Sequence, residues 1–290
     1  MTKGLLRREF LAAAGAAAVA IPTSSRVSIS ANAASVPEPN KQARLFPGCC
    51  AYSYLKDFKA GSMTMEDFIQ KAVELQSYSV DITTYWLKST EPEYVTSLRH
   101  LAFRNGMALS GIAIRSAMCR SDAAKRTEEV RNIQQWVDAA ELLGAPHVRV
   151  FGGQIPSGAT EKQGIEWIAE TWKPACDYAA KKGITLGIET HAGIPVRAST
   201  ALEILRRVDS PYAGINLDIS NFEAKTDDEM YSDIQACIPY ATHTHIRDVF
   251  AATKRPIDLD REYEAEEDPA TGVPKLMDKI KTLCRKYSSA

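Results

Sequence analysis

From Arg44 to Arg247 the chain repeats one unit, a short apolar run followed by a segment with an apolar stripe at helical spacing. The unit recurs about every 30 residues, enough for a strand, a crossover helix and their connections. The runs are "RLFPGCC" (44–50), "YSVDIT" (78–83), "ALSGIAI" (108–114), "PHVRVFGG" (146–153), "ITLGIET" (184–190), "YAGINLD" (212–218) and "ATHTHIR" (241–247). Such runs with helices between them predict parallel βαβ units. Seven of them in 290 residues favour an α/β fold of the (β/α)8 barrel type over a doubly wound sheet. No G-x-G-x-x-G follows the first run, so a dinucleotide-binding sheet loses its main support.

The helices carry their own start and stop signals. Thr64 stands as an N-cap with Asp67 three residues later, ahead of Phe68, Ala72 and Leu75 on one face. Pro92 suits a first helical turn, with Val95, Leu98 and Ala102 as the stripe and Gly106 at the end. Val130, Ile133, Val137 and Ala140 run to Gly144, and Ile165, Ile168, Trp172 and Ala179 run to Gly183. Shorter stripes follow at Leu202, Leu205 and Val208 and around Met230–Cys237. Leu276, Ile280, Leu283 and Tyr287 predict a C-terminal helix.

Ahead of the repeating part, "RREFLAAAGAAAVAIP" places Arg7 and Arg8 before a weakly apolar, Ala-rich stretch. This reads as a twin-arginine export signal over residues 1–33, cleaved near Ala33, with 34–43 as a linker and 44–290 as the barrel. A bilayer-spanning helix needs roughly 20 apolar residues, more than this stretch offers. The expected location is therefore periplasmic or otherwise extracytoplasmic, with no membrane span in the mature chain. The net charge of −1 supplies no basic face, which argues against a nucleic-acid partner. The six cysteines show no C-x-x-C spacing, and no disulfide framework is expected.

In a barrel of this kind the chemistry gathers at the C-terminal ends of the strands. Asp81 ends the second run, and Arg149, inside the fourth, reads as a structural ion-pair partner near the rim. Glu189, Asp218 and His245 close the fifth, sixth and seventh runs. Neighbouring parallel strands lie about 4.8 Å apart, so these three side chains can converge on one ion. Two carboxylates and an imidazole suit Mn2+, Mg2+, Co2+ or Zn2+. Taken singly, Glu189 reads as a capping group, Asp218 as a helix cap and His245 as a core histidine; the joint pattern carries the metal expectation. Trp86, just past the second run, is a candidate wall for stacking a sugar, whereas Trp136, Trp167 and Trp172 fall at helix positions.

"GIETHAG", "INLDISNF" and "THIRD" resemble motifs of the xylose isomerase-like TIM barrels, the sugar phosphate isomerase/epimerase family, and among them exported bacterial members. The resemblance runs from about residue 44 to the end. It implies a single divalent metal ion (Mn, Mg, Co or Zn) held by Glu189, Asp218, His245 and a fourth ligand, Glu262, in "REYEAEEDPATGVPK". It further implies that Glu189 and Glu262 act as acid and base on a sugar or sugar phosphate. They would move a proton next to a carbonyl through a metal-stabilised enediolate. His191, Asn221, Arg247 and Trp86 would contact this small-molecule substrate. Asn221 stands where family members commonly carry His, which keeps a hydrogen-bonding group and removes a cation. A homo-oligomer stays open.

The pattern breaks near the C-terminus. Glu262 follows Arg247 by only 15 residues (262 − 247), where a helix and a strand need about 30. "DVFAATKRPIDLD" has no helical stripe, and "DREYEAEED" is too charged for a buried strand. The expected fold is therefore a (β/α)8 TIM barrel lacking helix 7 and most of strand 8. Either "REYEA" still delivers Glu262, or the chain is an impaired or non-catalytic carbohydrate-binding barrel. A zinc-dependent phosphodiesterase of the abasic-site endonuclease type would need more histidines than the five present, and a basic groove.

Overall fold

Strands covered outside by helices and inside by one another's side chains have no solvated face, so apolar runs replace alternation. The computed structural model describes residues 45–191, 193–246, 250 and 268–287. Its strands are β1 (Gly48–Cys50), β2 (Ser79–Thr83), β3 (Ala108–Ala113), β4 (His147–Val150), β5 (Thr185–Glu189), β6 (Ala213–Asp218) and β7 (Ala241–His245). They form one parallel sheet in chain order. The helices are α1 (Leu55–Ala60), α2 (Met65–Glu74), α3 (Pro92–Arg104), α4 (Ala123–Leu143), α5 (Glu161–Ala180), α6 (Ala198–Val208), α7 (Asp227–Cys237) and α8 (Pro269–Tyr287). This is the expected barrel architecture without its eighth strand: among the described residues β1 pairs only with β2, and β7 only with β6. No helix among them is long and apolar enough to cross a membrane. The proposed signal peptide, the linker, Arg247 and Glu262 lie outside the described residues.

Local signals place the helices. Thr64 Oγ1 accepts from Asp67 N at 3.2 Å while Asp67 Oδ2 accepts from Thr64 N at 2.9 Å, a reciprocal cap that stabilises α2 by about 1 kcal/mol. Pro92 opens α3, and Gly144 closes α4 with φ of 76°, where a Cβ would be strained. The stripe of α6 is rotated from the expected one. Ala201, Ile204 and Val208 are buried, whereas Leu202 and Leu205 are half-buried, with Leu205 touching both apolar clusters of the core. The larger cluster includes Trp172 of α5, fully buried, whose truncation to alanine would cost about 3–5 kcal/mol.

The sheet is curled, as contacts across its inside face demonstrate. His147 Nε2 of β4 lies 3.1 Å from Thr242 Oγ1 of β7, and the His147 and His243 rings stack at 5.1 Å. His243 Nε2 is 3.3 Å from Ser110 Oγ of β3. Gly187 of β5 leaves the space the His147 ring fills; a Cβ there would meet Nε2 of that ring. Between β1 and β7 an apolar cavity of about 910 Å3 is lined by Phe46, Leu217, Ile234 and His243, with Leu276 and Leu283 of α8 opposite. It falls on the side where the sequence lacks a full helix and strand.

Candidate metal centre and active site

Glu189, Asp218 and His245 are the last residues of β5, β6 and β7, and all three are buried. The β6–β7 register sets Asp218 beside His245, and Glu189 pairs with Asn216 one strand over. One ligand atom from each of the three lies within 4.8 Å of the others. The convergence expected from the strand ends is present in the fold.

Each side chain is held by further groups. Asp218 Oδ1 accepts from Ser220 N at 2.9 Å and from Ser220 Oγ at 2.5 Å, and Oδ2 accepts from Asn221 Nδ2 at 2.7 Å. Asn221, expected to touch substrate, thus orients Asp218. Arg149 is buried beside Glu189, with Nε 2.9 Å from Oε2. Its Nη1 donates to the Ile114 carbonyl at 2.9 Å, and its guanidinium lies 3.9 Å from the centre of the Phe151 ring. Burial alone would raise the Glu189 pKa, but the Arg149 guanidinium beside it outweighs burial and holds the carboxyl below the usual range. Glu189 is therefore ionised at neutral pH.

Asp81 of β2, register partner of Cys50, completes the arrangement. Its Oδ2 lies 2.9 Å from His245 Nε2, while His245 Nδ1 lies 3.2 Å from Asn216 Nδ2 and 3.4 Å from Glu189 Oε1. Burial opposes ionisation of Asp81. The His245 hydrogen bond and the nearby His243 and Arg149 prevail and hold it well below the usual carboxylate range. An ionised carboxylate only accepts, so the Nε2–H of His245 donates to it and Nδ1 presents its lone pair to Asn216 Nδ2. Nδ1 and Glu189 Oε1 are then two acceptors facing each other beside a second carboxylate. That donor set fits a divalent cation, with the imidazole backed by a carboxylate on its other nitrogen.

A cavity of about 410 Å3 opens onto this cluster, with Glu189, His245, Arg149, His191 and Tyr85 in its wall. His191 lies against Phe151 with ring centres 4.8 Å apart. Trp86 is not in this wall. A 3-10 turn over Thr84–Trp86 sends Tyr85 into the cavity and lays Trp86 flat on Phe58 of α1, at 4.5 Å and 8°. Arg149, expected near the rim, instead belongs to the cluster itself. Asp81, Asn216 and Arg149 carried no assigned site role in the sequence. The available signal was a charged residue inside the apolar "HVRV", since a buried charge requires a partner.

The fold and the cluster define a parallel α/β barrel with a candidate metal centre at the C-terminal ends of its strands. The family described as xylose isomerase-like TIM barrel matches residues 69–283, and the chain belongs to that family. Among solved structures, a D-psicose 3-epimerase determined in the presence of D-fructose is 15% identical. The match covers 85% of this chain and 100% of that one, with a TM-score of 0.66. A 3-keto-D-glucoside 4-epimerase from E. coli is 12% identical over 76% of this chain and 94% of its own, with a TM-score of 0.62. A probable 3-DHS dehydratase of petrobactin synthesis from Bacillus anthracis is 16% identical over 82% and 98%, with a TM-score of 0.61. At such identities the likeness is one of fold. No curated protein matches the chain.

Proposed function

We propose that the chain is a divalent-metal-dependent isomerase or epimerase of a sugar or sugar phosphate. The observation that carries this reading is the convergence of Glu189, Asp218 and His245, with Glu189 and His245 in the wall of a cavity. A divalent ion held there would supply Lewis-acid polarisation of the substrate's carbonyl group. Glu189, Asp218 and His245 would hold it, with Glu262 as the fourth ligand implied by the family motif.

The protein's own part is positioning and proton transfer. Glu189, kept ionised by Arg149, accepts the proton from the carbon next to the carbonyl. For epimerisation a protonated Glu262 would donate a second proton on the opposite face, and for isomerisation Glu189 itself would pass its proton to the neighbouring carbon. His191 and Arg247 bind substrate oxygens, and Tyr85 takes the wall position expected of Trp86. Export by the twin-arginine route is part of the same proposal.

The test is exchange of deuterium from solvent into a panel of ketoses by the metal-loaded chain. Exchange that disappears in Glu189→Gln supports the reading. A chain that binds no divalent ion, or that binds one and exchanges none of the panel, refutes it.

A further inference from the structure

Cys50 stands beside Asp81 in the β1–β2 register, so both side chains leave the same face of the sheet at neighbouring strand ends. The curl that carries β7 against β2 brings His245 to both. One ligand atom from each of Cys50, Asp81 and His245 lies within 4.8 Å of the others, and all three residues are buried. We infer that these residues form a second ligand set, suited to a thiophilic divalent ion such as Zn2+ or Co2+. It competes with the Glu189–Asp218–His245 set for the single imidazole. The inference rests on the metal-binding half of the proposed function, not on its catalysis.

The donor chemistry separates the two sets. A thiolate with one carboxylate and one imidazole favours zinc and cobalt, whereas two or three carboxylates with an imidazole also admit manganese and magnesium. Asp81 Oδ1 is buried and accepts no hydrogen bond among the described residues, so this carboxylate has coordination capacity that its His245 contact does not use. Asp81 Oδ2 and His245 Nε2 are 2.9 Å apart, against about 3.3 Å between N and O ligands of a tetrahedral zinc centre. Binding therefore needs only a slight opening. Cys50 Sγ lies 4.0 Å from Thr83 Oγ1, and both residues line the cavity, so a fourth position is within reach of water or ligand.

His245 makes the two sets exclusive. A neutral imidazole has one lone pair. With Nε2–H on Asp81, Nδ1 serves the carboxylate set. With the proton moved to Nδ1, Glu189 Oε1 at 3.4 Å accepts it and Nε2 serves the thiolate set. A carboxylate stands ready at each nitrogen, so the metal supplied selects the tautomer.

The test is a Co2+ titration of the demetallated full chain. The expected result is a thiolate-to-cobalt charge-transfer band in the near ultraviolet that saturates at one ion per chain and is lost in Cys50→Ser. Bound Mn2+, followed by electron paramagnetic resonance, should be released by lower concentrations of Zn2+ from the wild-type chain than from Cys50→Ser, and equal concentrations overturn the inference. No charge-transfer band in the wild-type chain, or an undiminished band in Cys50→Ser, overturns the inference. The wild-type band does not depend on how the variant folds. Its absence would leave the deuterium-exchange reading intact, so the two ideas fail separately.

Discussion

Asp81 Oδ2 and His245 Nε2 meet at 2.9 Å across the inside of the barrel, joining the second strand to the seventh. The contact decides which nitrogen of His245 faces the carboxylates of β5 and β6. Substitution Asp81→Asn lets the amide donate to Nε2 and so favours the wrong tautomer. Mn2+ affinity should fall about 10- to 100-fold, as it does when outer-shell partners of metal-bound histidines are removed. Calorimetric titration of wild type and variant checks this; equal affinities would mean that Asp81 does not set the tautomer.

Arg149 and Glu189 are a buried pair, with side chains 6% and 4% exposed. Replacing Arg149 by Met leaves an uncompensated buried carboxylate and should destabilise the metal-free chain by about 3–5 kcal/mol. The double variant Arg149→Met, Glu189→Gln should recover much of that loss. Urea unfolding of the single and double variants gives the coupling directly.

Gly187 is required by the ring of His147. In Gly187→Ala the new methyl would collide with that ring and with the Asn216 backbone nitrogen, which should cost about 1–3 kcal/mol. His147→Ala in the same chain should relieve part of the cost. Thermal unfolding of the two variants reads the difference, and a fully additive pair would contradict the packing described.

Acid should weaken the fold before the carboxylates titrate. Burial lowers the pKa of His147 well below 6.5, and His243, His245 and Arg149 lower it further against the pull of Asp81. The unfolded chain takes up this proton below about pH 6.5 and the native chain does not, so stability declines as pH falls from there. The loss is at most ~1.4 kcal/mol per pH unit for this group and ends at its folded value. Glu189, lowered from 4.5 to about 2, adds stability present above 4.5 and lost as pH falls towards 2. Urea midpoints between pH 8 and 5 should fall towards acid in wild type and fall less steeply in His147→Gln, the remaining decline coming from His243, whose pKa burial also lowers.

Export is tested in the same chain. Changing Arg7 and Arg8 together to Lys should leave the protein in the cytoplasm at full length, with its sequence still beginning ahead of Ala33. Fractionation and N-terminal sequencing distinguish this from cleavage that proceeds without the arginine pair.

The strand ends were legible because each depends on local pattern. Glu189, Asp218 and His245 each close an apolar run that helical stripes bracket, and adjacent parallel strands bring consecutive run ends together. The caps at Thr64 and Gly144 were legible for the same reason. Trp86 was expected to wall a sugar site; across the 3-10 turn over Thr84–Trp86, Tyr85 lines the cavity and Trp86 stacks on Phe58. No periodicity signals that turn.

By itself the sequence determined the parallel order of the seven strands, the polar residues Glu189, Asp218 and His245 at three of their ends, and the shortfall before Glu262. These follow from spacing along the chain and from which way a side chain leaves a strand. Only the tertiary structure decided that Asp81 and Cys50 face His245, that Arg149 holds Glu189, and that His147 fills the room left by Gly187. The first two contacts join strands five and six positions apart in the sheet, and the other two join neighbouring strands through the shape of its interior. The curvature of the whole sheet sets their distances, and no local segment encodes it.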